Sequence, residues 1–536
     1  MKLRAVALAA LAAMAAMGAV AAEKGLSVSL EKPLASGHLS FDGNIRRFEL
    51  ELDKPMDLSD AAGVTFDIKC ADPAVLSNCW LLFKTGDGYY RARVEIPSAP
   101  STWTRRTVLK SEVRLYHWET HISLLELYAR PNPDDLPDWS RVKAFEVVFS
   151  LAIDRTSPDA SVFVRDFAPL AEQSPECAAA REAAARFNAE TCRRACAIPP
   201  RKGERRYLAT HVWGLDSDWD VTCRRLKALG ITDVIPLMTY AGQAYYRSRL
   251  EPSAPMVDAK GDALKACLAA CRKHGIGCYP WRSCWELTKA TSQTALARFA
   301  AENRLQVSFD GKASEWFCPT HPENVRREIE GIVELSEAGA DGILLDYFRY
   351  PNSDYCFCPR CRAKFEASLG HAVKNWPGDV RTDAELAEKW NKFRMGVLTD
   401  VLRNIRREVG RNAPGMKLTS AVAATVKNAE ARGQDWPEWC REGLLDTLFT
   451  MCYYSTSKML ERSVKAQMEV LRGTKTTLCP MICFACGGIP FNEPDEVARQ
   501  IQVVRDAGLP ELSFFRLQEY APTVLEILRK GPLSDD

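Results

Sequence analysis

The chain has 536 residues, 46% hydrophobic and 26% charged, with a formal net charge of +2. That length exceeds one compact domain and predicts two or three. Basic residues occur only in short pairs, which excludes the electrostatic footprint that nucleic acid or an anionic membrane would require.

The first residues read as a targeting segment. Lys2 and Arg4 precede an alanine-rich apolar run, Ala5 to Val20, and Ala19-Val20-Ala21 offers small residues for cleavage. Residues 1–22 are therefore expected to be a signal peptide, with the mature chain starting at Ala22 or Glu23. A membrane anchor is the alternative, but the run is shorter than a typical span. No later stretch reads as transmembrane, so a soluble, secreted or periplasmic protein is expected.

Residues 23–170 read as all-β. Alternating runs recur at Arg47–Leu52, Gly63–Ile68, Arg91–Ile96, Thr104–Leu109, Ala144–Phe149 and Ser161–Phe167. Turn residues separate them: Asp87-Gly88, Pro97, Pro131 and Pro133. Short strands at this spacing predict a β-sandwich. The segments beginning at Trp103, Trp139 and Val162 resemble, in order, those of carbohydrate-binding jelly rolls of the galactose-binding-like type. Trp103, Trp118 and Trp139 are candidate sugar platforms, or else core and turn packing. Residues 171–203 read as a linker with a helix over Ala178–Cys196, ended by Pro199-Pro200.

From residue 204 to 532, strands and helices alternate. Strands are predicted at Tyr207–Trp213, Asp233–Met238, Ile276–Trp281, Gly342–Leu345, Lys417–Ala423, Thr447–Tyr453, Thr476–Cys483 and Glu511–Phe515. Each is followed by a helical stretch, several of which stop at glycine. Strict alternation implies parallel pairing, and eight units favour a closed (β/α)8 barrel of the TIM type over an open sheet. The predicted fold class is thus α/β, a barrel preceded by an all-β sandwich.

The segment Asp341-Gly342-Ile343-Leu344-Leu345-Asp346-Tyr347-Phe348-Arg349-Tyr350-Pro351 is the most informative. Ile343, Leu344 and Leu345 fit a strand buried on both faces, and a carboxylate stands where it ends. Catalytic groups of such barrels lie at the C-terminal strand ends. An acid framed by aromatics and an arginine suits a pocket for a polar ring such as a sugar; the alternative is a solvated acidic loop.

Several segments, in order, resemble the family-10-like glycosylhydrolases. They are Asp262 through Arg282, Cys318-Pro319-Thr320-His321-Pro322-Glu323-Asn324-Val325-Arg326, Asp341–Pro351, and Gln434 through Tyr454. The resemblance covers roughly residues 206–520 and implies a glycosidase-like barrel acting on cell-wall glycans or other polysaccharides. One departure concerns chemistry: that family's fourth strand often ends in two consecutive acids, whereas here Tyr347 follows Asp346 directly.

Glycoside hydrolysis normally needs two carboxylates. Asp346 is the first candidate, as nucleophile or acid/base. Glu286, Asp435, Glu430 and Glu519 are candidates for the second, with Glu519 also a substrate contact. Asp435 matches a family position, yet Asp-Trp-Pro also reads as a helix N-cap. Trp213, Trp281, Tyr347, Tyr350 and Tyr454 form the expected ring-stacking set. His211 is a candidate substrate hydrogen-bonder, and Arg349 either orients Asp346, contacts substrate or makes a structural ion pair.

Nineteen cysteines is an odd number, so at least one stays unpaired in the monomer. Cys356, Cys358 and Cys361 with Cys318 read as a loop staple, through zinc or through a disulfide. A catalytic metal is not expected, since the seven histidines form no His-x-His pair; no cofactor is expected either. The sequence thus points to a secreted glycoside hydrolase binding a carbohydrate. The alternative is a non-catalytic glycan-binding or cell-envelope protein on a degenerate glycosidase barrel.

Overall fold

The computed structural model describes residues 28–29, 45–85, 89–116, 138–151, 162–210, 218–287, 291–454, 456–484, 493–517 and 521–534. The chain divides after Thr191 into two compact units.

The first unit holds two antiparallel sheets. One runs in the order Val28–Ser29, Val162–Ala171, Ala61–Cys70, Thr104–Leu109. The other runs Ile45–Met56, Val142–Leu151, Leu76–Lys84, Tyr89–Arg93, Arg114–Tyr116. A single apolar cluster takes Val64, Phe66 and Ile68 from the first sheet and Leu81, Phe83, Phe145 and Val147 from the second. Phe167 is stacked between Phe66 and Phe145, at 4.8 and 4.6 Å. Strand Leu76–Lys84 escapes an alternation search because both its faces are buried. Leu81 and Phe83 enter the shared core, while Trp80 and Leu82 pack with Val148 on the other side. Trp139 meets the edge of Phe83 at 5.4 Å, and Trp103 lies under the Arg165 guanidinium at 4.0 Å. Trp118 lies outside the described residues.

The second unit contains the closed eight-stranded parallel barrel. Its strands are Arg205–Thr210, Asp233–Tyr240, Trp281–Ser283, Gly342–Asp346, Lys417–Ala423, Thr447–Met451, Thr477–Cys483 and Glu511–Leu517. Each pairs with the next, and the first pairs with both the second and the eighth, which closes the ring. The third strand is preceded by a short piece, Gly277–Cys278, that also pairs with the second. The break falls at Pro280, which has no N–H to give to a ladder.

Side-chain parity sorts residues between the barrel lumen and the helical shell. Tyr207, Ile235, Leu237, Tyr279, Trp281, Leu344, Phe449 and Met481 fill the lumen. Their neighbours Leu208, Val234, Ile343, Leu345, Leu418, Leu448 and Leu478 pack beneath the helices. No helix of the described residues is long and apolar enough to cross a membrane.

Candidate active site

Leu344 faces the lumen, so Asp346, two residues on, faces it too, at the C-terminal end of the strand. The chain turns sharply there. Tyr347 takes a left-handed backbone conformation, φ 52°, a strained state for a bulky residue that costs about 1–3 kcal/mol. The turn directs the Tyr347 N–H onto Asp346 Oδ1 at 2.7 Å. Asp346 is 9% exposed, and burial pushes its carboxyl up to about 6, against the lowering field of Arg349 and the Tyr347 N–H. The Trp281 indole N–H faces this carboxylate but falls short of hydrogen-bond geometry.

Glu286 follows the neighbouring third strand, whose Ser283 pairs with Asp346. Two contacts fix this corner: the Cys284 N–H donates to the Asp346 carbonyl at 2.9 Å, and the Ser283 N–H to Thr239 Oγ1 at 3.1 Å. A β-hairpin, Leu305–Val307 with Ala313–Phe317, meets this segment. Glu286 bridges to Trp316, and the Leu287 N–H donates to the Glu315 carbonyl at 2.9 Å. The Glu286 carboxyl accepts from Ser283 Oγ at 3.4 Å. Burial pushes it up to about 8; Arg349 opposes that rise and the charge of Asp346 adds to it. The two acids therefore share one electrostatic environment, with Arg349 acting on both.

Arg349 lies against Trp316 at 5.2 Å and Tyr347 at 5.0 Å. It donates to the carbonyls of Tyr350 and Pro351, and its buried Nε has no hydrogen-bond partner. Among the described residues it makes no ion pair within 4.0 Å. Aromatic rings line the mouth: Trp281 and Phe515 at 6.1 Å, Phe515 stacked on Tyr453 at 4.9 Å, and Trp316 against Tyr347 at 5.8 Å.

The remaining sequence candidates fall elsewhere. Asp435 caps helix Trp436–Arg441, accepting from the Glu438 N–H at 3.3 Å. Its carboxyl is raised by burial, and its charged neighbours are Arg441 and Glu442, not the Asp346–Glu286 pair. Tyr350 is fully buried under the Arg394 guanidinium at 4.5 Å and offers no face to a ligand. Tyr454 turns to the helical shell, where its hydroxyl donates to Ser463 Oγ at 3.1 Å. Its neighbour Tyr453 faces the lumen cluster instead. His211, Trp213 and Glu519 lie outside the described residues. Phe515 and Trp316 carry no motif; Tyr453 stands in the stretch Gln434 through Tyr454, and counting by twos from lumen-facing Phe449 would have singled it out. A flank groove of about 1110 Å³, lined by Val325, Ile329, Val397 and Val401 among others, contains neither acid.

No family model matches this chain. An S-layer-related protein of Niallia circulans is 31% identical over 127 residues, 21% of this chain and 8% of that protein. The chain thus spans under a tenth of that relative's length. The glycoside hydrolase domain of PgaB (BpsB) from Bordetella bronchiseptica superposes with a TM-score of 0.50 at 16% identity, covering 62% of this chain and 99% of that one. The β-amylase catalytic domain of Paenibacillus polymyxa gives 0.45 at 11% identity, covering 62% and 95%. These structural neighbours are glycoside hydrolases built on barrels. At 16% identity the likeness to the PgaB domain bears on the barrel fold and not on the reaction.

Proposed function

We propose that this chain hydrolyses glycosidic bonds of an oligo- or polysaccharide, with Glu286 as general acid and Asp346 as the base or nucleophile. One observation carries the proposal: a buried and a half-buried carboxyl at the ends of adjacent barrel strands share a field, and their proton affinities are pushed apart, to about 8 for Glu286 and about 6 for Asp346. Near neutral pH Glu286 then holds a proton that it can give to the leaving-group oxygen. Asp346 is ionised, able to attack the anomeric carbon or activate water and to oppose the positive charge of an oxocarbenium-like transition state. Arg349, placed between Trp316 and Tyr347, keeps Asp346 ionised; its unpartnered Nε is a donor for a sugar oxygen. Tyr347, Trp316, Tyr453 and Phe515, all half-buried, offer ring faces to the apolar faces of sugars, with Trp281 packed against Phe515 beneath them.

The resemblance to family-10-like glycosylhydrolases and the barrel likeness support the same reading. The N-terminal targeting segment supports an extracytoplasmic substrate, and His211, Trp213 and Glu519 are proposed as further substrate contacts. The test is product release from a panel of glycans by the full chain. Glu286→Gln should cost about 10²–10⁴-fold in turnover, as loss of one proton-transfer group does. Asp346→Asn should cost several orders of magnitude while binding survives. Retained binding with no hydrolysis by the wild-type chain would favour the non-catalytic reading, and undiminished turnover in both variants would displace this pair from the reaction.

A further inference from the structure

We propose that Cys318, Cys356, Cys358 and Cys361 form a structural tetrathiolate site for one zinc ion, a site independent of the reaction proposed above. The four sulfurs are buried and all lie within 4.8 Å of one another. Cys318 Sγ is 3.7 Å from Cys358 Sγ, 3.5 Å from Cys361 Sγ and 3.8 Å from Cys356 Sγ. With zinc–sulfur bonds of about 2.3 Å, a tetrahedron has sulfur–sulfur edges of about 3.8 Å, so these sulfurs already sit close to the corners. Disulfides join sulfurs two at a time and give no reason for all four to converge on one centre.

The surroundings favour thiolates. The Val307 N–H donates to Cys356 Sγ and the Cys361 N–H to Cys358 Sγ, each at 3.4 Å. The Thr320 hydroxyl lies 3.0 Å from Cys318 Sγ and 3.3 Å from Cys361 Sγ. Such donors stabilise and orient metal-bound sulfur. Cys358 also caps the eleven-residue helix Pro359–Leu369, whose N-terminal dipole favours negative charge on Cys358 and Cys361.

A second observation comes from Arg394. Its side chain is buried, and its acceptors, Asn391 Oδ1 and the carbonyls of Asn352 and Ala431, are all neutral. Among the described residues no carboxylate lies within ion-pair distance of it. The charged groups that bear on it are Tyr350, Cys356, Cys361 and, beyond ion-pair distance, Asp354. Zinc with four thiolates carries charge −2, which supplies the counter-charge a buried guanidinium requires. Binding forms four zinc–sulfur bonds and releases four thiol protons, with no change of oxidation state. The ion would fasten Cys318 to the loop that begins at Asp346, stiffening the segment that carries Tyr347 and Arg349.

Elemental analysis of the full chain, purified without chelator under reducing conditions, should find one zinc per chain. Cobalt exchange should give the charge-transfer and d–d bands of tetrahedral thiolate cobalt. Cys361→Ser should lose the zinc. Cys271→Ser, in the separate buried group Cys267, Cys271 and Cys278, should keep it. Should Cys361→Ser fail to fold, the wild-type cobalt spectrum and a mercurial titration releasing zinc against four thiols decide the matter. Metal-free protein, disulfides among the four cysteines, iron in place of zinc, or zinc lost only in Cys271→Ser would each overturn the assignment.

Discussion

At the residue scale, the proposed chemistry rests on two carboxyls whose burial is unfavourable to their charge. Both titrate above their ordinary range, so activity should depend on pH as a bell. The acid limb, near 6, reports ionisation of Asp346, and the alkaline limb, near 8, reports loss of the Glu286 proton. The limbs belong to the coupled pair, and Glu286→Gln should remove the alkaline one. Stability follows from the same shifts. Glu286 binds its proton more tightly folded than unfolded. Its contribution is therefore complete below about 4.5 and is lost as pH rises through about 8. Wild-type protein should lose on the order of a few kcal/mol between pH 5 and pH 9 from this group. Glu286→Gln should be flatter over that range and more stable than wild type at pH 9, by denaturant midpoint. An equally steep fall in the variant would remove Glu286 as the origin. A residue that gains stability when neutralised but loses turnover is held where it is for chemistry.

At the element scale, the third strand is anchored by an ion cluster on its outer face. Arg282 donates to Glu251 at 2.7 Å and Glu328 at 2.9 Å, all three side chains almost wholly buried. Arg327 adds contacts to the same two acids. Gly331 of helix Pro322–Glu337 makes room, since a Cβ there would meet the Arg282 guanidinium at 2.7 Å. Arg282→Met should leave two acids short of charge and cost about 3–5 kcal/mol in urea unfolding. A loss under 1 kcal/mol would show that the cluster does not hold this strand. Because Ser283 and Glu286 follow directly, turnover should fall as well.

This cluster also shows where sequence reasoning stops. The eight strands were legible because uniform apolar runs alternate with helices that stop at residues such as Gly275 and Gly508, both at positive φ. Asp346 was legible because a carboxylate ends one of those runs. Arg282 stood in the sequence only as the end of a stretch resembling the family, because an arginine between aromatics carries no label for its face. Parity, fixed only once Trp281 is known to face the lumen, sends it outward. The same parity exchanges Tyr454 for Tyr453 at the mouth. Hairpin Leu305–Phe317, which brings Trp316 to Glu286, left no trace because its short strands lack a sustained period. Local pattern gave the scaffold and a set of candidate acids and rings that included Asp346, Glu286, Trp281 and Tyr347, while which of them stand together depends on contacts across separate strands.

At the scale of the whole barrel, closure joins segments three hundred residues apart, and the sheet ladder is not the only tie. Glu204, just before the first strand, is buried between Arg206 and Arg505, at 3.3 and 2.7 Å. Arg505 lies on helix Pro494–Asp506, between the seventh and eighth strands. Arg206 also donates to the Leu533 carbonyl at 2.9 Å, and Arg505 to that of Pro532 at 2.7 Å. One carboxylate thus bridges two buried guanidiniums that hold the start of the barrel to its last helices. Removing it takes a buried charged partner from both guanidiniums, so Glu204→Gln should cost about 3–5 kcal/mol, far more than an exposed ion pair. The loss should appear as faster hydrogen exchange at the pairing of Arg205–Thr210 with Glu511–Leu517, before any change at the fourth and fifth strands. Replacing all three by apolar residues of similar volume should restore much of the stability, since it removes the stranded charges with their partner. Protection that falls uniformly around the ring in Glu204→Gln would mean that closure is held by the strand ladder alone.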